Sequence, residues 1–172
     1  MPNIGFPNPT HTQQHASGPA AAEASLAPPV PAPPAAGNRL ALSTDNPFPS
    51  LSSLPPSSLH DLGGPHQPVY VGSAIFENSV HPCKIVPHLN LPVRVPYGGG
   101  EHEHRGRFDL LQIDDRTMEW VITGHGKIPQ GRRPVEGGYE ENGARLFHAL
   151  AQIDDVWVPG KTGEHLVSAL VV

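Results

Sequence analysis

The sequence predicts an all-β domain behind a disordered, proline-rich N-terminal tail. Residues 1–60 hold 13 of the 22 prolines but only three of the 27 charged residues. From about residue 61 onward, turn signals recur at intervals of about 8–12 residues, separated by short runs of β-branched and aromatic residues. No segment shows a convincing apolar stripe of helical period. Together these observations favour strands over helices.

The tail is assigned to residues 1–58. It has too few aromatic and branched residues to offset the entropy lost on ordering. Its segment 28–34, Pro-Pro-Val-Pro-Ala-Pro-Pro, favours a polyproline II conformation. The P-x-x-P spacing in 28–34 suits an SH3-type or WW-type partner, whereas an inert spacer is the alternative. The nearest cation, Arg39, lies five residues beyond the last proline of the segment, which favours the spacer.

The remaining residues, 59–172, suffice for one small hydrophobic core. Six segments in this domain predict strands because apolar or aromatic residues alternate or cluster between turn signals. These segments are residues 69–71, 92–97, 107–113, 118–122, 146–151 and 155–158. Propensity alone would also allow a short helix over 144–152, and a strand is the preferred prediction there.

An internal repeat emerges when the sequence is offset by 77 residues. The offset aligns Tyr70 with Phe147 and Lys84 with Lys161 without a gap. Two copies of one β unit predict a pseudo-symmetric antiparallel domain in which each copy covers the apolar face of the other. Chance similarity is the alternative explanation, since the identities are few.

The repeats are placed at about residues 59–115 and 116–172. The counterpart of Val95 is the last residue, Val172, so the second copy is expected to be truncated before its glycine turn or to pair differently. The same offset makes residues 50–62 candidates for the opening strand of the first copy.

Two of the three lysines, Lys84 and Lys161, occupy equivalent positions, each two residues after a proline. An ammonium group held by a rigid proline turn can donate hydrogen bonds to sugar hydroxyls or to a carboxylate. Acidic residues precede both lysines in the sequence, Glu77 before Lys84 and Glu140 before Lys161. A carboxylate beside a lysine can bind vicinal diols, whereas a surface ion pair is the structural alternative.

Glu101-His102-Glu103-His104 is the only segment that suggests a metal. His102 and His104 share one face of an extended segment and could supply half of a zinc or copper site. No Cys or third His stands at a characteristic ligand spacing, so an exposed edge or a structural hydrogen-bond pair is favoured. No cofactor is therefore predicted.

Several function classes are excluded. Basic residues do not cluster as nucleic-acid binding requires, and no apolar run is long enough to span a membrane as a helix. No nucleophile motif or phosphate-binding loop is present, so no enzymatic activity is expected. The lone Cys83 excludes an internal disulfide. The N-terminus lacks the features of a secretory signal, which predicts a cytoplasmic protein, with unconventional secretion as the alternative.

The motifs of residues 61–172 resemble the DM-nine repeat family. The segments that carry this resemblance are Val69-Tyr70-Val71-Gly72, Pro82-Cys83-Lys84, Val95-Pro96-Tyr97-Gly98-Gly99 with Glu101-His102, Glu119-Trp120-Val121, Gly137-Gly138-Tyr139-Glu140, and Pro159-Gly160-Lys161. The resemblance implies a non-catalytic, mannose-binding lectin made of two tandem repeats about a pseudo-twofold axis. Mannose-type glycans are then the expected partners. A homodimer is also expected, since lectins compensate for weak sites by multivalency.

Carried over by position, the resemblance implies that Glu140 accepts from sugar hydroxyls and that Lys161 donates to them. In the first repeat Lys84 matches, but the preceding turn, 63–68, has no acid. Glu101 and His102 match the family's Gly-x-Glu-His signature. They are expected mainly to fix the glycine turn, with sugar contact as a second role.

Overall fold

The computed structural model describes residues 35–60, 67–166 and 170–171. In this part of the chain the only helix is a 3-10 turn at Leu51–Ser53, and nothing has the length and apolarity to cross a bilayer as a helix. The strands are β1 (Asn38–Ser43), β2 (Leu59–His60), β3 (Pro68–Ile75), β4 (Val80–Ile85), β5 (Val93–Tyr97), β6 (Gly100–Glu103), β7 (Arg107–Gln112), β8 (Glu136–Tyr139), β9 (Arg145–Ile153), β10 (Val156–Thr162) and β11 (Leu170–Val171). They form an antiparallel sheet, which confirms the all-β prediction. The Pro-rich segment 28–34 lies outside the described residues.

The tail boundary at residue 58 is placed too late. Strand β1 pairs antiparallel with β7 along its whole length, from Asn38↔Gln112 to Ser43↔Arg107. Leu40, Leu42 and Phe48 pack on the core. Composition averaged over 60 residues concealed this strand because its few apolar residues are surrounded by proline and alanine.

Five of the six predicted strands correspond to β3, β5, β7, β9 and β10, and the helical alternative over 144–152 is wrong because β9 occupies it. The strand predicted at 118–122 is also wrong. That segment is irregular, and it exposes 48% of Trp120 and 96% of Ile122. Its alternation is local, and no described strand pairs with it.

The 77-residue offset is reproduced by two hairpins. Val71 pairs with Lys84 in β3–β4, and His148 pairs with Lys161 in β9–β10 at the same register. The next strand differs, because Lys84 pairs with Arg94 of β5 whereas Lys161 pairs with Leu170 of β11, one residue short of the offset. The second copy therefore pairs differently from the first at this edge.

Strand β4 lies between the two copies. It pairs with β3 and β5 of the first copy and meets β8 of the second at Val80↔Tyr139. Strand β3 is covered on both faces: Tyr70 and Ala74 belong to one apolar cluster, and Val69 and Val71 belong to the other. Because successive side chains of β3 pack into apolar clusters on both faces of the sheet, β4 and the neighbouring strands are held in fixed positions.

Candidate functional site

The glycines of β8 allow Glu140 to reach β4. Gly138 has a φ of +147°, and a Cβ there would lie 2.0 Å from the Val80 carbonyl oxygen. A Cβ on Gly137 would lie 2.6 Å from the Pro82 ring. Because neither position has a side chain, β8 approaches β4 closely, and Glu140 emerges beside it at the end of the strand.

Lys161 is the centre of the resulting cluster. Its ammonium donates to Glu140 Oε1 at 3.1 Å and to His81 Nδ1 at 2.9 Å, and it lies 5.2 Å from the centre of the Tyr97 ring. Only 2% of Lys161 is exposed, so the surface ion pair weighed from the sequence is excluded. Lys84 and Lys161 both lie inside strands, so the proposed proline turns are wrong.

His81, like Tyr97, is a member of the cluster that the sequence did not indicate as a site residue. It lies on β4, is 2% exposed, and donates from Nε2 to Ser79 Oγ at 3.1 Å. Glu140 Oε2 lies 3.7 Å from the same nitrogen. Burial, and secondarily the Lys161 ammonium, lower the pKa of His81 below its usual value of 6.5, against the opposite effect of Glu140 and Glu141.

The accessible face of the cluster is formed by Glu140 and Tyr97. Glu140 exposes 17% of its side chain and Tyr97 is 51% exposed, while Lys161 lies beneath them. The Tyr97 ring also meets the His81 ring edge to face at 5.9 Å. His165 borders the site, with Nε2 3.8 Å from Glu140 Oε1. The groups that this face presents to solvent are therefore a carboxylate and an aromatic ring.

A metal does not fit this cluster. His81, Glu140 and Glu141 bring ligand atoms within 4.8 Å of one another, but the Lys161 ammonium already contacts His81 and Glu140. A cation between them would face a positive charge at contact distance, so the side chains present do not suit a metal.

The metal hypothesis for His102 and His104 is not supported by their contacts. Their Nε2 atoms lie at hydrogen-bond distance from backbone carbonyls, of Tyr97 at 3.1 Å and Arg107 at 2.8 Å. His102 is exposed, whereas His104 is 4% exposed and packs on Phe76. The His102 ring thus contacts the β5–β6 turn and the His104 ring contacts the start of β7, and the scaffold role of His102 stays a prediction.

The equivalent lysine of the first copy, Lys84, has a different environment. Its ammonium lies 2.8 Å from Glu101 Oε2, and Arg94 Nε lies 3.1 Å from Glu101 Oε1. Arg94 also pairs with Glu103 at 3.2 Å. Both oxygens of Glu101 are thus engaged by cations, one from β4 and one from β5. The acid of this copy comes from the β5–β6 hairpin, not from Glu77.

A family model described as the DM9 repeat matches residues 65–171. This is the DM-nine repeat family that the sequence motifs resemble. The chain belongs to the DM9 repeat family. The match spans both copies and the three residues at the centre of the cluster, His81, Glu140 and Lys161. No curated protein matches the chain.

Proposed function

We propose that this DM9 repeat protein binds mannose-type carbohydrate at the Tyr97–Glu140–Lys161 cluster, without catalysing a reaction. The observation that carries the proposal is the pairing of a carboxylate with a half-exposed aromatic ring over one buried ammonium. Sugars present hydroxyl donors together with apolar C–H faces. A carboxylate accepts from the hydroxyls, and a ring such as that of Tyr97 covers the C–H face.

The contacts refine the roles that the family resemblance implies. Lys161 donates to Glu140 and His81, so its first task is to hold the Glu140 carboxylate in one orientation. A fixed acceptor loses less side-chain entropy when a hydroxyl binds. Binding at this site exchanges water contacts for protein contacts, so we expect affinity for the free monosaccharide of roughly millimolar strength. A homodimer would raise the affinity for a multivalent glycan.

The Lys84–Glu101 pair is expected to contribute less. Two cations already neutralise Glu101, which leaves it a poorer acceptor for a hydroxyl than Glu140.

Calorimetric titration of the full chain with mannose at pH 7.5 tests the proposal. Glu140→Gln should weaken binding about tenfold or more, because a charge-assisted hydrogen bond is worth roughly 1.5–3 kcal/mol. Lys161→Ala should weaken it as well, since the carboxylate loses its partner. Tyr97→Ala should weaken binding, and Tyr97→Phe should preserve it because the ring remains.

Two matched controls lie in the irregular loop. Glu119→Gln changes an exposed acid that is paired with Arg132, and Lys127→Ala changes an exposed lysine. Both should bind as the wild type does. Absence of heat at tens of millimolar mannose, or unchanged binding in Glu140→Gln and Lys161→Ala, would refute the proposal.

A further inference from the structure

We infer that His81 is a positioning residue of this site: its neutral ring holds the Lys161 ammonium against Glu140, and its protonation releases that lysine and weakens ligand binding. The effect on the ligand rests on the proposed function, whereas the positioning of Lys161 is a property of the protein alone.

The hydrogen bonds of His81 define its protonation state. An ammonium group has only donors, so the ring nitrogen 2.9 Å from Lys161, Nδ1, must be the acceptor. The proton of the neutral ring therefore sits on Nε2 and points to Ser79 Oγ at 3.1 Å. Ser79 Oγ in turn donates to Glu141 Oε1 at 3.5 Å. Each ring nitrogen thus has one assigned partner.

Protonation would turn the acceptor into a donor. The new N–H on Nδ1 would face the Lys161 ammonium, and two positive groups would stand 2.9 Å apart at side chains that are each about 2% exposed. Like charges at this distance repel strongly when water is excluded. Lys161 would then move away from His81, and Glu140 would lose the partner that orients it.

The charged and titratable groups around His81 come from several elements. Lys161 on β10 opposes protonation, and Glu140 and Glu141, which follow β8, favour it. The Tyr97 ring of β5 contacts His81, and His165 reaches Glu140 from beyond β10. Burial and the nearby ammonium prevail, so His81 stays neutral at pH 7 and becomes charged only in acid.

The arrangement is specific to one copy. The position 77 residues after His81 is Val158, which has no ring nitrogen. Lys84 is held by Glu101 instead. Dependence on His81 is therefore expected only at the Lys161 site.

Mannose titration of the full chain at pH 7.5, 6.0 and 5.0 tests the ligand effect. This range keeps ordinary carboxylates ionised. Wild-type affinity should be highest at pH 7.5 and should fall as the pH is lowered below 6.5. His81→Asn places an amide oxygen near the position of Nδ1 and does not titrate, so it should bind at pH 7.5 and lose most of the pH dependence. His81→Leu removes the acceptor and should bind weakly at all three values.

His165→Gln is the matched control, because it removes the other histidine near Glu140. It should keep the wild-type pH dependence. A wild-type protein whose affinity is constant over this range, a wild-type profile in His81→Asn, or loss of the profile in His165→Gln would each overturn the inference.

Nitrogen-15 NMR of the His81 ring in sugar-free protein provides a readout that needs neither ligand nor a His81 variant. We expect Nδ1 to be unprotonated and Nε2 to be protonated at neutral pH. The titration midpoint of the ring should lie below pH 6.5 and should rise in Lys161→Met. A proton on Nδ1 in neutral solution, or a midpoint that ignores Lys161→Met, overturns the positioning of Lys161. If mannose never binds but the NMR results are as expected, the proposed function fails and the positioning stands.

Discussion

His148 should make the domain lose stability steadily below pH 6.5. The ring lies on β9, and Arg39 Nη2 donates to its Nε2 at 2.9 Å. A guanidinium has only donors, so the neutral ring carries its proton on Nδ1, which is buried and has no hydrogen-bond partner among the described residues. Burial, reinforced by the Arg39 charge, lowers the pKa of His148 to about 3.

The direction and the size of this loss of stability follow from the difference in proton binding between the folded and unfolded chains. Between pH 6.5 and 3 the unfolded chain binds a proton at His148 that the folded chain does not, so the free energy of unfolding falls as the pH falls. The loss is about 1.4 kcal/mol per pH unit, or about 2 kcal/mol between pH 6.5 and 5. A domain of this size is typically stable by only about 5–15 kcal/mol, so the loss is measurable.

Urea unfolding followed by far-ultraviolet circular dichroism at pH 7.5, 6.0 and 5.0 provides the assay. His148→Gln keeps an acceptor for Arg39 but does not titrate. Below pH 6.5 the free energy of unfolding of this variant should therefore change with pH by about 1.4 kcal/mol per pH unit less than that of the wild type. His81 contributes a slope of the same sign to both proteins, and the difference between them isolates His148. Parallel stability curves for the wild type and His148→Gln would refute the reasoning.

Two pairs of substitutions and one labelling experiment test the packing. Gly138→Ala should lower the free energy of unfolding in urea by about 2–3 kcal/mol and weaken mannose binding, because its Cβ would meet the Val80 carbonyl. Gly143→Ala, at φ +83° with open space around it, should lower the free energy of unfolding less and leave binding intact. Equal effects of the two variants on binding would contradict this. Leu110→Ala, at a fully buried position, should lower the free energy of unfolding by about 2–5 kcal/mol, whereas Leu51→Ala, at a position 47% exposed, should lower it by under about 1 kcal/mol. Similar losses in the two variants would disprove the assignment of the core. Cys83 is 1% exposed and burial raises the pKa of its thiol, so an aromatic disulfide reagent should label it only after denaturation; prompt labelling of the native protein would count against its burial.

The strands that the sequence predicted correctly have a local signal, namely branched or aromatic residues between turn residues. Residues 69–71 and 107–113 combine branched or aromatic residues with flanking turns, and both belong to strands of the sheet. Residues 118–122 carry the same local signal, but no strand among the described residues pairs with them, whereas β1 pairs with β7 and has almost no local signal. Pairing across the sheet decides such cases, and composition does not encode it.

The candidate site divides in the same way. Glu140 and Lys161 were anticipated through the family resemblance, and they do meet at 3.1 Å. His81 lies 80 positions before Lys161 and is one of 11 histidines, so no spacing marks it. The approach of β8 to β4, which Gly137 and Gly138 permit, places Glu140 near His81, and β10 brings Lys161 to both.

The position of the Lys161 cluster between the copies has a consequence for how such a site can arise. His81 and Tyr97 belong to the first copy, whereas Glu140 and Lys161 belong to the second. A chain with a single copy would therefore carry one half of the cluster and no complete one. The missing half could come only from a separate chain that carries the other copy, or from the same chain when both copies are joined in it. Joining the copies in one chain turns an encounter between molecules, which depends on concentration, into a fixed internal contact that survives dilution.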